Sequence, residues 1–528
     1  MNERLKKLNR RCPGELYDIS ESICHGRQRV HYPKCPLCHY RAEVSTGVPV
    51  PAIKEDNTPK TIGMKNKTSK DIGLHSKQDQ TINHKIFKSY DIRGIYPEEL
   101  NEYTVEKIGI GAAMFLKSLK NIKNIVVARD ARLSSDSLAN SLMKGLVRAG
   151  VNVIDIGETS TDTTYFVVGF YNYDAGITVT ASHYPSKYNG LKLCHEKAMP
   201  ISFETGLSKI SEIASQTKFN FPKQPGRIIK KEIIKDYKRH VLSFADNIRP
   251  LKVVVDAGNG MAGKMVPIIF EDLPCKIIPL FFKLDGTFPN HEPNPLDDKN
   301  LQDLQEKVRK TKSNLGVAFD GDADRCVFVD ENGQIIGCDL ITTVIAKELL
   351  QNDKGSTIVY DLRSSRVVQE EIKKAGGTPY REKVGHSHIK VAMREKNAIF
   401  GGELSGQYYF KDNYYADSGI IALIEVLNIL SRKNVPMSNL ISPLRRYHAT
   451  GETNFEVEDK EEKIKQIAES FKDGNIDFLD GLTVEYKDWW FNVRKSNTEP
   501  LLRLNLEGRT KEMMERRKKQ VIDIIREV

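Results

Sequence analysis

The chain has 528 residues, 39% of them apolar and 28% charged, so it is too long for one hydrophobic core and is typical of a globular protein with several domains. Its formal charge of +10 is uneven, because residues 1–85 carry 16 Lys and Arg against 9 Asp and Glu; the rest is nearly balanced, which argues against nucleic-acid binding by the main body. The chain has neither an apolar signal sequence nor a run of about 18 apolar residues, which predicts a cytoplasmic protein without a membrane-spanning helix.

Four of the eight cysteines lie near the start of the chain: Cys12, Cys24, Cys35 and Cys38. Cys35 and Cys38 have the two-residue spacing that lets two thiolates bind one tetrahedral metal ion. We therefore interpret residues 1–44 as a segment that holds structural Zn²⁺ and binds a partner of unknown identity. A region this small gains little from apolar burial, which favours a metal over the alternatives of free reduced thiols and redox chemistry. Nearby histidines are alternative ligands: His25, His31 and His39.

Residues 45–85 are polar, rich in lysine and without periodicity, so we expect a flexible linker. The body of the protein begins after this linker with the sequence IFKSYDIRGIY, at Ile86. The remaining cysteines are scattered among apolar or motif residues and are expected to be buried reduced thiols. They are Cys194, Cys275, Cys326 and Cys338.

Three passages of the body repeat one design, a short β-branched run that ends at an aspartate and is followed by a loop and a helix-like pattern. They are NIVVARDARLSS from Asn124, LKVVVDAGNGMAG from Leu251 and STIVYDLRSSRVV from Ser356. This order predicts three similar α/β domains that bind ligands at the carboxyl ends of their strands. The last part of the chain has alternating strand character around a loop and then a charged helix, which predicts a smaller α+β domain. The expected domains are 86–225, 226–335, 336–445 and 446–528.

The sequence DGDADR places Asp320, Asp322 and Asp324 at alternate positions between two apolar runs. Three carboxylates this close repel one another unless a cation lies between them, and oxygen ligands favour Mg²⁺ or Ca²⁺. An EF-hand is disfavoured because Arg325 stands where that loop needs glycine. A solvated acidic turn is the other alternative, but the flanking apolar runs bring the turn to the edge of a packed sheet.

The loop TASHYPSKYNGLKL contains Ser182 next to His183. Side chains adjacent in sequence point apart, so this pair is a poor nucleophile and base. A serine in such a loop often only caps a turn. A metal held by three carboxylates, however, can accept a phosphate oxygen, and this gives Ser182 a second interpretation as the carrier of a phosphoryl group.

Five motifs in chain order resemble those of the α-D-phosphohexomutase family, in its phosphomannomutase/phosphoglucomutase branch. They are YDIRG from Tyr90, TASHYP from Thr180, DGDADR from Asp320, GELSG from Gly402 and RKSNTEP from Arg494. The resemblance covers residues 86–528, and five motifs together are far more specific than any one of them. It implies a heart-shaped arrangement of three similar α/β domains and a smaller α+β domain around a central cleft.

The resemblance implies that Ser182 is a phosphoserine and that the three aspartates bind Mg²⁺ together with its phosphate. The enzyme would pass this phosphoryl group to a hexose phosphate, and the hexose 1,6-bisphosphate so formed, which is also the activator, would turn around and return its other phosphate. Lys192 would move the proton of the attacking or leaving hydroxyl if its pKa is lowered. Arg93 and Arg325 would neutralise charge near the reacting groups.

The same resemblance assigns the substrate contacts. Glu403 and Ser405 would bind two sugar hydroxyls, while His386 and Arg363 match positions that face the substrate. The non-reacting phosphate would be held by Arg494, Ser496, Asn497 and Thr498, because a planar guanidinium binds phosphate oxygens in pairs. Arg503, on the following strand, is expected to support this group rather than to touch the phosphate.

Three residues depart from the family pattern: Tyr184 replaces Asn, Arg363 replaces a common Lys, and Gln407 replaces the His that ends GEMSGH. Tyr184 is expected to matter little, because Pro185 shapes the turn. Gln407 cannot exchange a proton near neutral pH, so His386 or His388 is a candidate replacement. Two alternatives to a mannose or glucose phosphate mutase remain. One is phosphoglucosamine mutase, whose motifs GEQSGH and SGTEP differ from those here, and the other is a catalytically weak sugar-phosphate sensor with a zinc-binding head.

Overall fold

The computed structural model of the chain describes residues 82–496 and 501–527. The expected zinc ligands Cys12, Cys24, Cys35 and Cys38, nearly all of the expected linker, and Asn497 and Thr498 lie outside the described residues. Four sheets follow one another along the described chain, each with its own helices.

The first sheet is mixed and has seven strands in the order β1-β5-β4-β2-β3-β7, with β6 beside β5. Strands β2, β3, β4 and β7 are parallel, whereas β5 runs antiparallel to both β4 and β1. β4 is buried along its whole length, as expected for a strand covered on both faces. The strands are β1 (Ile92–Ile95), β2 (Asn124–Arg129), β3 (Asn152–Glu158), β4 (Ala175–Val179), β5 (Tyr188–His195), β6 (Met199–Pro200) and β7 (Ile228–Lys230). The helices are α1 (Glu102–Leu119), α2 (Ser135–Arg148), α3 (Thr161–Phe170) and α4 (Ser208–Ala214).

The second sheet has five strands in the order β12-β11-β10-β8-β9. β8 is parallel to both β9 and β10, and β10 turns back antiparallel into β11. This turn contains the three aspartates. The strands are β8 (Lys252–Asp256), β9 (Lys276–Leu280), β10 (Leu315–Phe319), β11 (Cys326–Val329) and β12 (Ile335–Ile336). The helices are α5 (Ile234–Leu242), α6 (Ala262–Phe270) and α7 (Gln302–Thr311).

The third sheet has the order β14-β13-β15-β16-β17, in which β13 is parallel to its two neighbours and β15 turns back antiparallel into β16. The β15–β16 turn contains GELSG. The strands are β13 (Thr357–Asp361), β14 (Thr378–Glu382), β15 (Phe400–Gly402), β16 (Tyr408–Phe410) and β17 (Ala416–Asp417). The helices are α8 (Cys338–Asn352), α9 (Arg366–Lys374), α10 (His386–Glu395), α11 (Gly419–Lys433) and α12 (Met437–Ile441).

The fourth sheet is entirely antiparallel, in the order β18-β23-β22-β21-β20 with β19 also pairing β23. Its β22–β23 connection carries the RKSNTEP motif. The strands are β18 (His448–Ala449), β19 (Thr453–Glu456), β20 (Asn475–Asp477), β21 (Leu482–Glu485), β22 (Trp489–Lys495) and β23 (Leu501–Gly508). The helices are α13 (Lys460–Ser470) and α14 (Lys511–Arg526). The expected fold class, three α/β domains and a smaller α+β domain, is confirmed.

One continuous apolar cluster joins the first three domains, and the first and third each have a further cluster of their own; the core of the fourth is wholly separate. Of the four described cysteines, all free, three are buried and Cys275 is only partly buried. Within the described part of the chain, no helix combines the length and the hydropathy needed to cross a membrane.

Candidate active site

Ser182 lies in the loop between β4 and β5 and faces the aspartate turn of the second domain. Its Oγ donates a hydrogen bond of 2.7 Å to Asp320 Oδ2, and its N–H donates one of 2.9 Å to Thr180 Oγ1. Its φ of 53° is left-handed, which is costly for a serine and persists only where the surroundings impose it. Gly321 permits the approach of the two loops, since a Cβ there would lie 2.6 Å from the Ser182 carbonyl oxygen.

The three aspartates of this turn have the geometry of a cation site. Asp320, Asp322 and Asp324 are fully buried, and one carboxylate oxygen from each lies within 4.8 Å of the others. The Oδ1 atoms of Asp322 and Asp324 accept no hydrogen bond from any described residue, so both remain available to a ligand. Burial, and then the charge of Asp322, raises the pKa of Asp324 to about 6. A divalent cation bound to these oxygens would relieve this crowding, so the residues fit such an ion.

Two side chains of the first domain, those of Thr161 and Lys192, donate hydrogen bonds to Asp322. Its Oδ2 accepts hydrogen bonds from Thr161 Oγ1 at 2.5 Å and from Lys192 Nζ at 2.7 Å. Lys192 also pairs with Asp324. Burial lowers the pKa of Lys192, but these carboxylates more than reverse this, so the pKa lies above its ordinary value. Without a cation on these aspartates Lys192 is an ammonium group, and a bound cation that takes up their charge would lower its pKa, as its expected role in proton transfer requires.

Arg93 and Arg325 bring positive charge to the same place. Arg93 donates to Asp91 Oδ2 at 2.7 Å and to the Ala181 carbonyl at 2.9 Å. Arg325 Nε lies 3.7 Å from Asp320 Oδ2. The ring of Tyr184 covers Arg93, with its centroid 4.5 Å from the guanidinium carbon. The expectation that the identity of Tyr184 matters little stays a prediction, although the ring stacks on a charged group of the site.

The GELSG turn holds a buried carboxylate, that of Glu403, and a buried hydroxyl, that of Ser405. Glu403 accepts hydrogen bonds from Tyr409 and from the Gly385 N–H, and Arg363 lies 3.9 Å away. Burial, and then the charge of Asp361, raises the pKa of Glu403 to about 6. The Oγ of Ser405 is buried, and nothing in the described chain hydrogen-bonds to it. An unpartnered buried hydroxyl next to a carboxylate is suited to binding the hydroxyls of a sugar.

His386 begins α10 beside this turn. Its ring packs edge-on against Tyr90, with 5.7 Å between the centroids. Both ring nitrogens are buried, and neither has a hydrogen-bond partner among residues 82–496 and 501–527. Burial, followed by the charge of Lys390, holds the pKa of His386 well below its ordinary value. His386 is therefore neutral at pH 7 and can donate one hydrogen bond and accept another, but it does not replace a lost positive charge.

A positive charge near Gln407 is supplied by Lys390 and not by His386. Gln407 Nε2 donates to Asp417 Oδ2 at 2.5 Å, and Lys390 Nζ lies 2.6 Å from Asp417 Oδ1. The side chains of Lys390 and Asp417 are almost completely buried, and the ammonium also lies 3.7 Å from the centre of the Tyr165 ring. This pair was not apparent from any motif, because its members lie far apart in the chain.

The motif of the fourth domain contributes Arg494, which is buried on β22. Its Nη2 lies 2.7 Å from Glu452 Oε2, and Arg503 Nη1 lies 3.0 Å from the other oxygen of this carboxylate. The backbone N–H of Ser496 donates to the Leu501 carbonyl at 2.8 Å. Glu452 thus orients both arginines at the base of the loop. Sequence reasoning missed Glu452, since nothing in its own segment marks it.

Profiles of one protein family match four consecutive parts of the chain. They are described as Phosphoglucomutase/phosphomannomutase, alpha/beta/alpha domain I at residues 84–221, domain II at 232–333, domain III at 338–447 and the C-terminal domain at 452–524. Together they span most of the body, and the aspartate turn, the GELSG turn and Ser182 all fall within them.

Individual proteins agree with these profiles. A phosphomannomutase of Vibrio cholerae is 40% identical over 435 residues, which cover 80% of this chain and 94% of that protein. A phosphomannomutase of Escherichia coli is 39% identical over 436 residues, covering 80% of this chain and 95% of the relative. The crystal structure of a phosphoglucomutase/phosphomannomutase family protein from Burkholderia thailandensis superposes with a TM-score of 0.78 at 33% identity, covering 84% of this chain and 97% of the other. The chain belongs to the phosphoglucomutase/phosphomannomutase family, and its activity is that of a phosphohexomutase, an intramolecular phosphotransferase.

Proposed function

We propose that this protein interconverts the 1- and 6-phosphates of mannose, and of glucose as a second substrate, through a phosphorylated Ser182. The observation that carries the proposal is the 2.7 Å contact between Ser182 Oγ and Asp320, inside a buried cluster of three carboxylates with two unpartnered oxygens. This contact puts the hydroxyl beside a site that favours a cation. Such an environment suits a phosphoryl group and is a poor place for an unmodified serine.

The chemical step is a pair of phosphoryl transfers. In the first, the phosphorus of phosphorylated Ser182 forms a bond to a free hydroxyl oxygen of the hexose phosphate, and the bond to Ser182 Oγ breaks. The sugar hydroxyl loses its proton as the new ester forms, and Ser182 Oγ, the leaving group, takes one up, so the transfer is neutral overall. The resulting hexose 1,6-bisphosphate turns around, and its other phosphate returns to Ser182 by the reverse sequence. In-line geometry and neutralisation of charge are the main requirements of such a transfer.

Residues of the site divide this work. Arg93 and Arg325 supply fixed positive charge, and Lys192, whose Nζ contacts Asp322 and Asp324, moves the proton of the attacking or departing sugar oxygen. Mg²⁺ held by Asp320, Asp322 and Asp324 would neutralise charge on the transferring phosphoryl group.

Substrate contacts are proposed on both sides of the reacting centre. Glu403 and Ser405 bind vicinal sugar hydroxyls, and neutral His386 adds one further hydrogen bond. Arg363 supplies a cation beside Glu403. The non-reacting phosphate binds the group led by Arg494, which includes Ser496, Asn497 and Thr498. Arg494 matches this task because its planar donors meet phosphate oxygens in pairs.

The experiment is ³¹P NMR of the purified protein with Mg²⁺ and a trace of hexose 1,6-bisphosphate. Mannose, glucose and glucosamine 1-phosphates are supplied in separate samples. We expect a new 6-phosphate signal with mannose first and glucose second, and no signal from Ser182→Ala. Ser470→Ala, at an exposed serine of α13, is the control and should turn over normally. Turnover of glucosamine 1-phosphate alone would establish the phosphoglucosamine alternative, and silence with all three sugars would favour the sensor.

We also propose that the amino-terminal segment holds one structural Zn²⁺ through Cys12, Cys24, Cys35 and Cys38. The support is the Cys-x-x-Cys spacing at Cys35 and Cys38. We also place the protein in a reducing compartment such as the cytoplasm, because the described cysteines of the body are free thiols. Elemental analysis of the full chain should find about one zinc per molecule. The double variant Cys35→Ser, Cys38→Ser should lose it and Cys275→Ser should keep it, whereas zinc-free protein would contradict the proposal.

A further inference from the structure

Arg132 lies under the Ser182 loop and holds it through the backbone. Its side chain is fully buried. Nη2 donates to the carbonyl oxygens of Ser182 at 2.8 Å and Tyr184 at 2.6 Å. Nη1 donates to the carbonyl oxygens of Pro185 at 2.8 Å and Tyr188 at 3.0 Å. One guanidinium group therefore binds four carbonyls that surround the nucleophile.

A second set of hydrogen bonds reaches Ser182 from the same arginine. Arg132 Nε donates to Asp130 Oδ2 at 3.2 Å, and that same oxygen accepts a hydrogen bond of 2.7 Å from Thr180 Oγ1. Thr180 Oγ1 in turn accepts the Ser182 N–H at 2.9 Å. Both the N–H and the carbonyl group of Ser182 are thus fixed by one buried network, which explains how the loop keeps its left-handed φ at this position.

Arg132 also contacts the second domain. Its guanidinium carbon lies 4.9 Å from the centre of the Phe288 ring. A Cβ placed on Gly321, in the aspartate turn, would lie 3.7 Å from the tip of the same ring. Arg132 therefore lies between the loop that carries Ser182 and a side chain that packs on the metal-binding turn.

We propose that Arg132 is a positioning residue that sets the place of Ser182 Oγ relative to the three aspartates. The inference rests on the proposed role of Ser182 as the phosphoryl carrier. Arg132 does not touch the reacting atoms, so its effect on the reaction passes through the loop. An error of about 1 Å in the place of a reacting group can cost about 100-fold in rate.

The test is Arg132→Lys, which keeps the positive charge next to Asp130. An ammonium group has three donors on a single atom and cannot reach all four carbonyls in the geometry of a planar guanidinium. We expect the single-turnover rate of Ser182 phosphorylation by hexose 1,6-bisphosphate to fall about 100-fold, with KM for the hexose phosphate changed less than about threefold. Mass spectrometry of Ser182 peptides measures the rate.

Arg394→Lys is the matched control for the loss of a guanidinium that binds backbone carbonyls, although Arg394 is only partly buried. Arg394 also donates to backbone carbonyls, those of Lys197 at 2.8 Å, Lys390 at 2.8 Å and Tyr414 at 2.7 Å. None of these carbonyls belongs to the Ser182 loop. The control should lower the thermal midpoint by an amount similar to Arg132→Lys while leaving the phosphorylation rate within about twofold of the unchanged protein.

The outcomes separate the two proposals. Absence of Ser182 phosphorylation in the unchanged protein would reject the proposed function itself. Normal phosphorylation there, together with a rate in Arg132→Lys no lower than in Arg394→Lys, would reject only the role of Arg132. If Arg132→Lys does not fold, Asp130→Asn decides the matter, because it removes the charge that orients Arg132 and should give the same fall in rate at unchanged KM. A rate for Asp130→Asn equal to that of the unchanged protein would overturn the inference.

Discussion

The first three domains and the fourth are joined to the rest of the molecule by different kinds of contact. One apolar cluster runs through the first three, in addition to a second cluster within the first. Asp162 of the first domain accepts hydrogen bonds from Tyr237 of the second at 2.6 Å and Ser418 of the third at 2.5 Å, all of them buried. The fourth domain has a core of its own, and ion pairs and hydrogen bonds of Arg366 and Arg381 connect it to the third.

This difference divides the proposed site between two units of the molecule. Phosphoryl transfer falls in the first three domains, and binding of the distal phosphate falls in the fourth. Ser182, the aspartate turn and the GELSG turn belong to the unit with the shared core, where buried groups keep atoms in place at little further cost. Arg494 belongs to the domain connected by partly exposed polar contacts, which contribute little stability individually. The groups proposed to perform the transfer are therefore preset, whereas the group proposed to bind the distal phosphate lies in a domain with a separate core.

The largest expected effect is on the preset unit. Asp322→Asn removes one carboxylate of the triad, and removing metal with EDTA empties the same site. We expect either change to reduce kcat by about 10³-fold, because charge on the transferring phosphoryl group is no longer neutralised. KM should change little, since the distal phosphate still binds Arg494. Steady-state kinetics with Asp303→Asn, an exposed aspartate of α7, as the control would check this, and a loss confined to KM would contradict it.

The next prediction concerns the stability of the shared core and its dependence on pH. Glu425 is buried on α11, and burial raises its pKa from 4.5 to about 7. Between these values the folded state keeps a proton that the unfolded state releases, so the free energy of unfolding falls as the pH rises through this window. Above pH 7 the accumulated penalty is constant, on the order of 3 kcal/mol.

Glu425→Gln should therefore stabilise the protein at pH 8 and leave its stability at pH 4.5 nearly unchanged. Urea unfolding followed by far-UV circular dichroism at both pH values measures this. Glu515→Gln, at an exposed position of α14, should have no effect at either pH. Equal stabilisation by Glu425→Gln at the two pH values would show that removal of a buried charge is not the cause.

The third prediction moves to the fourth domain. Arg494→Lys keeps the charge but loses the paired donors of the guanidinium, so binding of the distal phosphate should weaken by about 2 kcal/mol, or about 30-fold in KM. The rate of Ser182 phosphorylation at saturating substrate should change less than about threefold, because the reacting groups lie in the other unit. Lys495→Gln, next to Arg494 but exposed and paired with Glu461, is the control. A fall in kcat equal to the rise in KM would break the division between the two units.

The parts of the site that lie within one contiguous motif could be predicted from the sequence. The structure brings Ser182 to the three aspartates, as we expected from five motifs and the family resemblance together, because each motif alone left an alternative open. The general fold was predictable because β-branched runs that end at aspartate alternate with helical patterns. The antiparallel strands β5, β11 and β16 that complete the mixed sheets were not apparent from these repeats.

Other residues could not be found because their contacts come from distant parts of the chain. Thr161 reaches Asp322 across 161 positions, and Lys390 finds its partner Asp417 on another element. The contact between Tyr184 and Arg93 was not foreseen for the same reason, since Arg93 lies on β1, far from Tyr184 in the chain. Of the residues that were missed, Arg132 was the easiest to predict. It lies two residues after Asp130, just beyond the end of β2, where the loops of an α/β domain gather.

The smallest expected effect tests whether the fourth domain is a separate unit. Arg381 pairs with Asp477 and Glu485 across the junction, and all three are partly exposed. Arg381→Gln should lower the stability of the fourth domain by about 1 kcal/mol at low salt and by less at high salt, because surface ion pairs are weak and screened. Both tryptophans of the chain, Trp489 and Trp490, lie in this domain, so their fluorescence reports its unfolding alone.

We expect the fluorescence transition of Arg381→Gln to move to lower urea concentration, while the circular dichroism transition of the first three domains stays in place. Lys472→Gln, whose partner Glu469 lies within the same domain, should leave the separation of the two transitions unchanged. Coincident transitions in the unchanged protein and in both variants would mean that the polar junction couples the domains as strongly as the shared core does.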